Sequence, residues 1–254
     1  MKLTHRIWLL TIAALSFLPF TATQAQNIDA VIQAALNNSA RLPASRERDA
    51  QRKPSEIIKF MGTAPGMTVL DLVGMGSGYY AEILAGVVGE GGRVITHGLP
   101  AQGMDPDNPF AAHIRSSSHL DNVVPIYANL RDLDLQENSV DQIFLILNFH
   151  DFYFEAWGID PAVTLAMFRK ILRPGGTLAV IDHAAPDNAP SSSGNTAHRI
   201  SPVLTKSTLQ TAGFILEGES NILRNDADNL TQTVFAPEIR GRTSRFVHRY
   251  RNPE

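Results

Sequence analysis

Two stretches of this sequence carry side chains whose types and spacing can do chemistry. The first is Val69-Leu70-Asp71-Leu72-Val73-Gly74-Met75-Gly76-Ser77-Gly78, an apolar run ending in three glycines at every second position, with Tyr79 directly after. Glycines there let the chain turn tightly and let a ligand approach the backbone closely. The second is Asn148-Phe149-His150-Asp151, which a later pair, Asp182-His183, can join. An unperturbed imidazole titrates at about 6.5, so His150 can take a proton from a hydroxyl or an amine. It can equally be an ordinary loop histidine. Asp151 can take part in that chemistry, or it can cap the helix that follows. His150, Asp151, Asp182 and His183 together also offer nitrogen and oxygen ligands to a divalent ion.

These groups need elements to hold them, and the pattern around them supplies a regular alternation. Apolar runs at 67–73, 93–97, 122–127, 141–148 and 176–182 read as buried strands, and 79–88 and 160–172 between them as helices. Strands alternating with helices imply a parallel sheet covered on both faces. A helix at 206–212 and strands at 214–219 and 244–250 close the chain. The expected fold is therefore α/β, a Rossmann-like doubly wound sheet of seven strands, mostly parallel with an antiparallel C-terminal edge pair. Upstream, 28–37 has helical spacing, 39–52 reads as irregular and charged, and Pro54 opens a short helix through Met61. The stretch 186–195, rich in Ser, Pro and Asn, reads as a mobile loop over the mouth of the sheet.

The bulk properties narrow the classes. Lys2 and Arg6 precede the apolar run Ile7 to Phe20, with small and polar residues through Ala25. That is the layout of a secretory signal peptide, too short to span a hydrocarbon core that needs about 20 residues. Three parts are expected: a signal peptide at 1–25, an N-terminal helix and irregular segment at 26–53, and the main domain at 54–254. The product would be exported, to the periplasm or the medium, with no stable membrane insertion after cleavage. Removing 1–25 takes two basic residues and no acid, which moves the formal charge from −3 to −5 and disfavours a nucleic-acid partner. The chain has no cysteine, so thiolate metal sites and cysteine nucleophiles are excluded.

A G-x-G-x-G loop alone suits NAD, flavin, S-adenosylmethionine (SAM) or a bare turn. An NAD fingerprint would place a further glycine after the loop and an acid well beyond it. Here tyrosines follow and the acid, Asp71, precedes. With Pro65-Gly66-Met67-Thr68 leading into that loop, Ser139-Val140-Asp141, and Leu172-Arg173-Pro174-Gly175-Gly176-Thr177-Leu178, the chain resembles the class I SAM-dependent methyltransferases over nearly all of its mature length. More narrowly, Asn148 to Asp151, Asp182-His183, His198-Arg199-Ile200 and the tail 235–243 are similar to a group of predicted exported bacterial methyltransferases.

The resemblance implies a methyl transfer from S-adenosyl-L-methionine to a small-molecule acceptor. It places the cofactor against Asp71, Gly74, Gly76, Ser77, Gly78, Tyr79, His97, Asn129, Leu130 and Asn148, and gives catalysis to His150 and Asp151, with no metal. Two positions depart from the family. One extra residue separates Asp71 from Gly74, and the strand at 93–97 ends in His97 where the family has a ribose-binding acid. Asn129 stands where relatives carry an acid near the adenine amino group. SAM is made in the cytosol, so an exported chain could instead be a small-molecule-binding protein that kept the fold and lost the reaction. A third reading is a metal-assisted enzyme using His150, Asp151, Asp182 and His183. Arg240, Arg242 and Arg245 read as a solvated face or an anion site, and the aromatics 152–154 and Trp157 as core or as an acceptor pocket.

Overall fold

The computed structural model describes residues 22–100 and 106–253. The expected signal peptide falls largely outside them. Helix α1 (Ala22–Leu36) opens the described chain, and α2 (Pro43–Arg46), α3 (Asp49–Arg52) and α4 (Pro54–Met61) follow. The sheet is then laid down as β1 (Thr68–Leu72), α5 (Tyr79–Val88), β2 (Arg93–Gly98), α6 (Pro109–Ser116), β3 (Val123–Tyr127), β4 (Val140–Ile146), α7 (Pro161–Ile171) and β5 (Leu172–His183). Helices α8 (Ser193–Ala197) and α9 (Pro202–Thr211) precede β6 (Ile215–Ser220) and β7 (Arg245–Arg251).

The seven strands lie in the order β3-β2-β1-β4-β5-β7-β6. Strands β1 to β5 are mutually parallel, while β7 runs antiparallel to both β5 and β6. The expected fold class is what is found. Burial explains it: Val69, Leu70, Ile143, Phe144, Leu145, Leu178, Ala179 and Val180 are all inaccessible, so the central strands are covered on both faces, as parallel sheets require. Chain order reverses between β1 and β4. Ligands of open α/β sheets bind beyond the carboxyl ends of strands at such a switch point.

Local chemistry sets the helix ends. Asp160 caps α7, accepting from Ala162 N at 2.9 Å and Val163 N at 3.2 Å with Pro161 next. Asn108 caps α6 and Ser201 caps α9 in the same way. Asp151, which the sequence offered as the cap of the following helix, lies nine residues too early and has other partners.

Two segments differ from expectation. Residues 39–52 are not irregular but fold as α2 and α3 around Arg41, whose guanidinium is buried and bidentate to Asp49 at 2.8 and 2.9 Å. A charge pattern cannot show that one arginine of the run goes inside. The 186–195 stretch is pinned rather than loose: Ser193 Oγ donates to Pro190 O and Arg199 O, and a side chain at Gly194 would run into the His150 carbonyl. Helix α6 and the 3-10 turn Ser118–Leu120 were not foreseen.

Candidate active site at the carboxyl ends of β1 and β4

A cleft opens at the switch point, lined by Asp71, Leu72, Val73, Gly74, Gly76, Ser77, Tyr79 and Tyr80 on one side and by Ile146, Leu147 and Asn148 on the other, with Arg52 at its edge. Val73 and Leu147, which flank it, both hold left-handed backbones, φ +56° and +60°. Such strain in bulky residues concentrates at functional sites.

Asp71 is buried on the cleft floor. Burial pushes its carboxyl up to about 7, against the pull of the Ala81 amide and the Arg52 guanidinium. Its Oδ2 has no hydrogen-bond partner. Gly74 is required beside it, because any Cβ there would overlap the carboxylate. The Tyr79 hydroxyl donates to Asp49 at 2.8 Å, and Arg41, Arg48 and Arg52 lie over its ring at 5.8, 5.2 and 4.7 Å from the centroid. The segment that looked irregular therefore walls the cleft. Arg52 was missed in the sequence, where its only signal was membership of a charged run.

The extra residue after Asp71 has a physical account. Val73 turns into the left-handed region, and its N–H donates to His97 Nδ1 at 3.3 Å. His97 Nε2–H then donates to Ala128 O at 2.9 Å. Burial pushes His97 down, so it stays neutral in that tautomer. With no exposed surface and both nitrogens used, His97 is a staple between three strand ends and not the expected ribose ligand. Asn129 and Leu130 do not reach the glycine cleft either. Asn129 donates to Asp132, and both residues line a separate cleft with Leu99 and Trp157. Gly78 faces Phe110 of α6 and is absent from the cleft lining. Asp71, Gly74, Gly76, Ser77, Tyr79 and Asn148 are thus brought together, and Gly78, His97, Asn129 and Leu130 are not.

Asn148 links the cleft to the histidine cluster, donating to Asp151 Oδ2 at 3.0 Å. His150 is buried between two carboxylates, with Nδ1 2.8 Å from Asp182 Oδ1 and Nε2 3.1 Å from Asp151 Oδ1. Carboxylates only accept, so both ring nitrogens donate. Burial alone would push the imidazole down; Asp182 and Asp151 outweigh it and raise it to about 10. His150 is therefore an imidazolium at neutral pH, with no lone pair to act as the expected base. It holds Asp151 in place. The four-residue metal set does not form, since Asp182 also accepts from His150 N and His183 N, and His183 Nδ1 pairs with Thr243.

His198 was named only as part of a motif, yet it stands at the open side of this cluster. Its ring meets His150 edge-on at 5.4 Å, and its Nδ1 lies 3.9 Å from Asp151 Oδ1. Burial and the neighbouring imidazolium keep it down, so it is neutral. Phe154 and Phe235 flank it, whereas Phe152 is core. Arg240 and Arg242 are exposed, and Arg245 donates to Gln51 O at 2.7 Å.

Residues 71–180, from the cleft-floor Asp71 into β5, match the family described as a methyltransferase domain. The fold is a methyltransferase fold. An uncharacterized methyltransferase of Mycobacterium tuberculosis and one of Mycobacterium bovis are each 27% identical over 135 residues, 53% of this chain and 47% of theirs. The chain thus spans about half the length of the curated relatives it matches. Among solved structures, a SAM-dependent methyltransferase from Aquifex aeolicus superposes with a TM-score of 0.58 at 20% identity, covering 88% of this chain and 97% of that one. A Haloferax volcanii protein described as a putative methyltransferase, in complex with an activator, gives 0.59 at 21%, covering 88% and 98%. A [4+2]-cyclase gives 0.57 at 14%, covering 91% and 94%. His150, Asp151 and Asn148 lie within the matched segment, while Asp182, His183 and His198 lie beyond it.

Proposed function

We propose that this chain is a methyltransferase that takes its methyl group from S-adenosyl-L-methionine and gives it to a small molecule bearing a hydroxyl or an amine. The observation that carries this reading is the buried Asp71 carboxylate with an unpartnered oxygen, facing a glycine loop across from the Arg52 guanidinium. An amino-acid moiety has an ammonium and a carboxylate, and that pair of side chains complements it. The cofactor fits the residues present: Asp71, Gly74, Gly76, Ser77, Tyr79 and Asn148 would hold it, with Arg52 added. When bound it supplies an electrophilic methyl on a sulfonium.

The remaining work belongs to the chain. Alignment of acceptor and cofactor is the main contribution. Asn148 orients Asp151 from the cleft side, and the His150 imidazolium fixes the same carboxylate from behind. His198, neutral and half-exposed, takes the acceptor's proton at a ring nitrogen. The match of 71–180 with the methyltransferase-domain family supports the reaction class. We also propose export, on Lys2, Arg6 and the run Ile7 to Phe20, and kinship with the exported bacterial methyltransferases. No helix of the described residues is long and apolar enough to cross a membrane.

Equilibrium dialysis with S-adenosylhomocysteine tests the site. Gly74→Ala, whose methyl displaces the Asp71 carboxylate, is expected to weaken binding at least about tenfold, the equivalent of a lost charge-assisted contact. Undiminished affinity in a folded variant would put the cofactor elsewhere.

A further inference from the structure

A second cluster lies outside the cleft, where α5, α6 and the Ser118–Leu120 turn meet. Glu82, in the first turn of α5, has a side chain with no exposed surface. A buried carboxylate costs several kcal/mol unless it is compensated. One oxygen is compensated: Oε1 accepts from Leu42 N at 3.0 Å and lies 2.9 Å from His113 Nε2. The other, Oε2, is buried without a partner. So is Nε2 of His119, whose ring stands 5.5 Å from that of His113. One ligating atom from each of Glu82, His113 and His119 lies within 4.8 Å of the others.

We propose that Glu82, His113 and His119 form a binding site for a divalent transition-metal cation, with zinc the best fit. Two imidazoles and one carboxylate are a recurrent zinc set that leaves a fourth position for water. Tetrahedral zinc with bonds of about 2.0–2.1 Å needs ligand atoms about 3.4 Å apart, a contraction that the partly buried rings of His113 and His119 can supply by rotating. A divalent cation satisfies the Glu82 carboxylate oxygen and the His119 imidazole lone pair together. Ser117 Oγ, 3.1 Å from His113 Nδ1, orients that ring from behind.

The site lies outside the glycine-loop cleft and is independent of the methyl-transfer reading. It ties α6, whose Phe110 packs on Gly78 of the glycine loop, to α5, and through Leu42 it ties the N-terminal segment to the same helix.

Calorimetric titration of the metal-stripped full chain with zinc chloride tests it. The parent and a His198→Ala variant are expected to bind one zinc saturably and to gain thermal stability; His119→Ala and Glu82→Gln, checked as folded by circular dichroism, are expected to lose both. His119 is half-exposed, so its removal leaves the core intact even if the buried Glu82 does not tolerate change. Failure of the folded parent to bind zinc would overturn the proposal. So would binding that His119→Ala keeps, including the case in which His198→Ala loses it, which would assign the metal to His150, Asp151 and His198.

Discussion

At the scale of single residues, burial decides charge, and charge decides role. Asp71 and His150 are both held well above their ordinary values, Asp71 by burial and His150 by two carboxylates that overcome burial. Each is protonated over a range where the unfolded chain is not, so each adds stability that is present at low pH and lost as pH rises. For Asp71 the loss runs from about 4 up to about 7, and for His150 from 6.5 up to about 10. Burial holds His97, His119, His183, His198 and His248 down, and these act in the opposite sense below about 6.5, so stability measured by urea unfolding is expected to fall in the parent from about pH 7 to pH 10. Asp71→Asn should make stability rise more steeply with pH below 7 than in the parent and leave the fall above pH 7 unchanged. An unchanged slope below pH 7 would mean that Asp71 is ionised in the free protein. The sequence disclosed which of these residues mattered more readily than what they do. The extra residue after Asp71 was visible, but only the folded chain shows its N–H spent on His97, and only the Asp182 and Asp151 carboxylates packed on both ring nitrogens turn His150 from a base into a fixed cation.

At the scale of elements, strands and helices of the sheet were legible because their apolar periods are long and capped by recognisable residues. Helix α5 falls on the expected residues 79–88, and α7 starts at Pro161 behind its Asp160 cap. Strand β5 begins earlier than expected, because Leu172 already pairs with Val140 before the Arg173 to Gly175 turn interrupts the ladder. The N-terminal segment was opaque for the opposite reason. Its order rests on contacts distant in sequence: Arg41 with Asp49, Asp49 with Tyr79, and Leu42 with Glu82. No local pattern encodes them. Removing one partner strands the inaccessible Arg41 guanidinium, so Asp49→Ala is expected to cost about 2–3 kcal/mol, less than for a fully buried pair because Asp49 is 27% exposed. It should also weaken S-adenosylhomocysteine binding through Tyr79 and Arg52. A variant as stable as the parent, with equal affinity, would show that the segment neither braces the fold nor walls the cleft.

At the scale of the molecule, the doubly wound sheet fixes where a ligand sits but not what becomes of it. The same fold carries a [4+2]-cyclase among its structural neighbours, so a reaction must be argued from the site. Here the site divides into two halves of different standing. The proposed cofactor half lies, apart from Arg52, within the matched residues 71–180; the proposed acceptor half is completed by Asp182 and His198 beyond them. The small-molecule-binding alternative shares the first half and differs only in whether a methyl donor occupies it. Calorimetric titration of the purified chain at pH 8, with SAM and separately with S-adenosylhomocysteine, decides this most directly. The account predicts one site of micromolar affinity for each, lost together in Gly74→Ala. A folded chain that binds neither would contradict it.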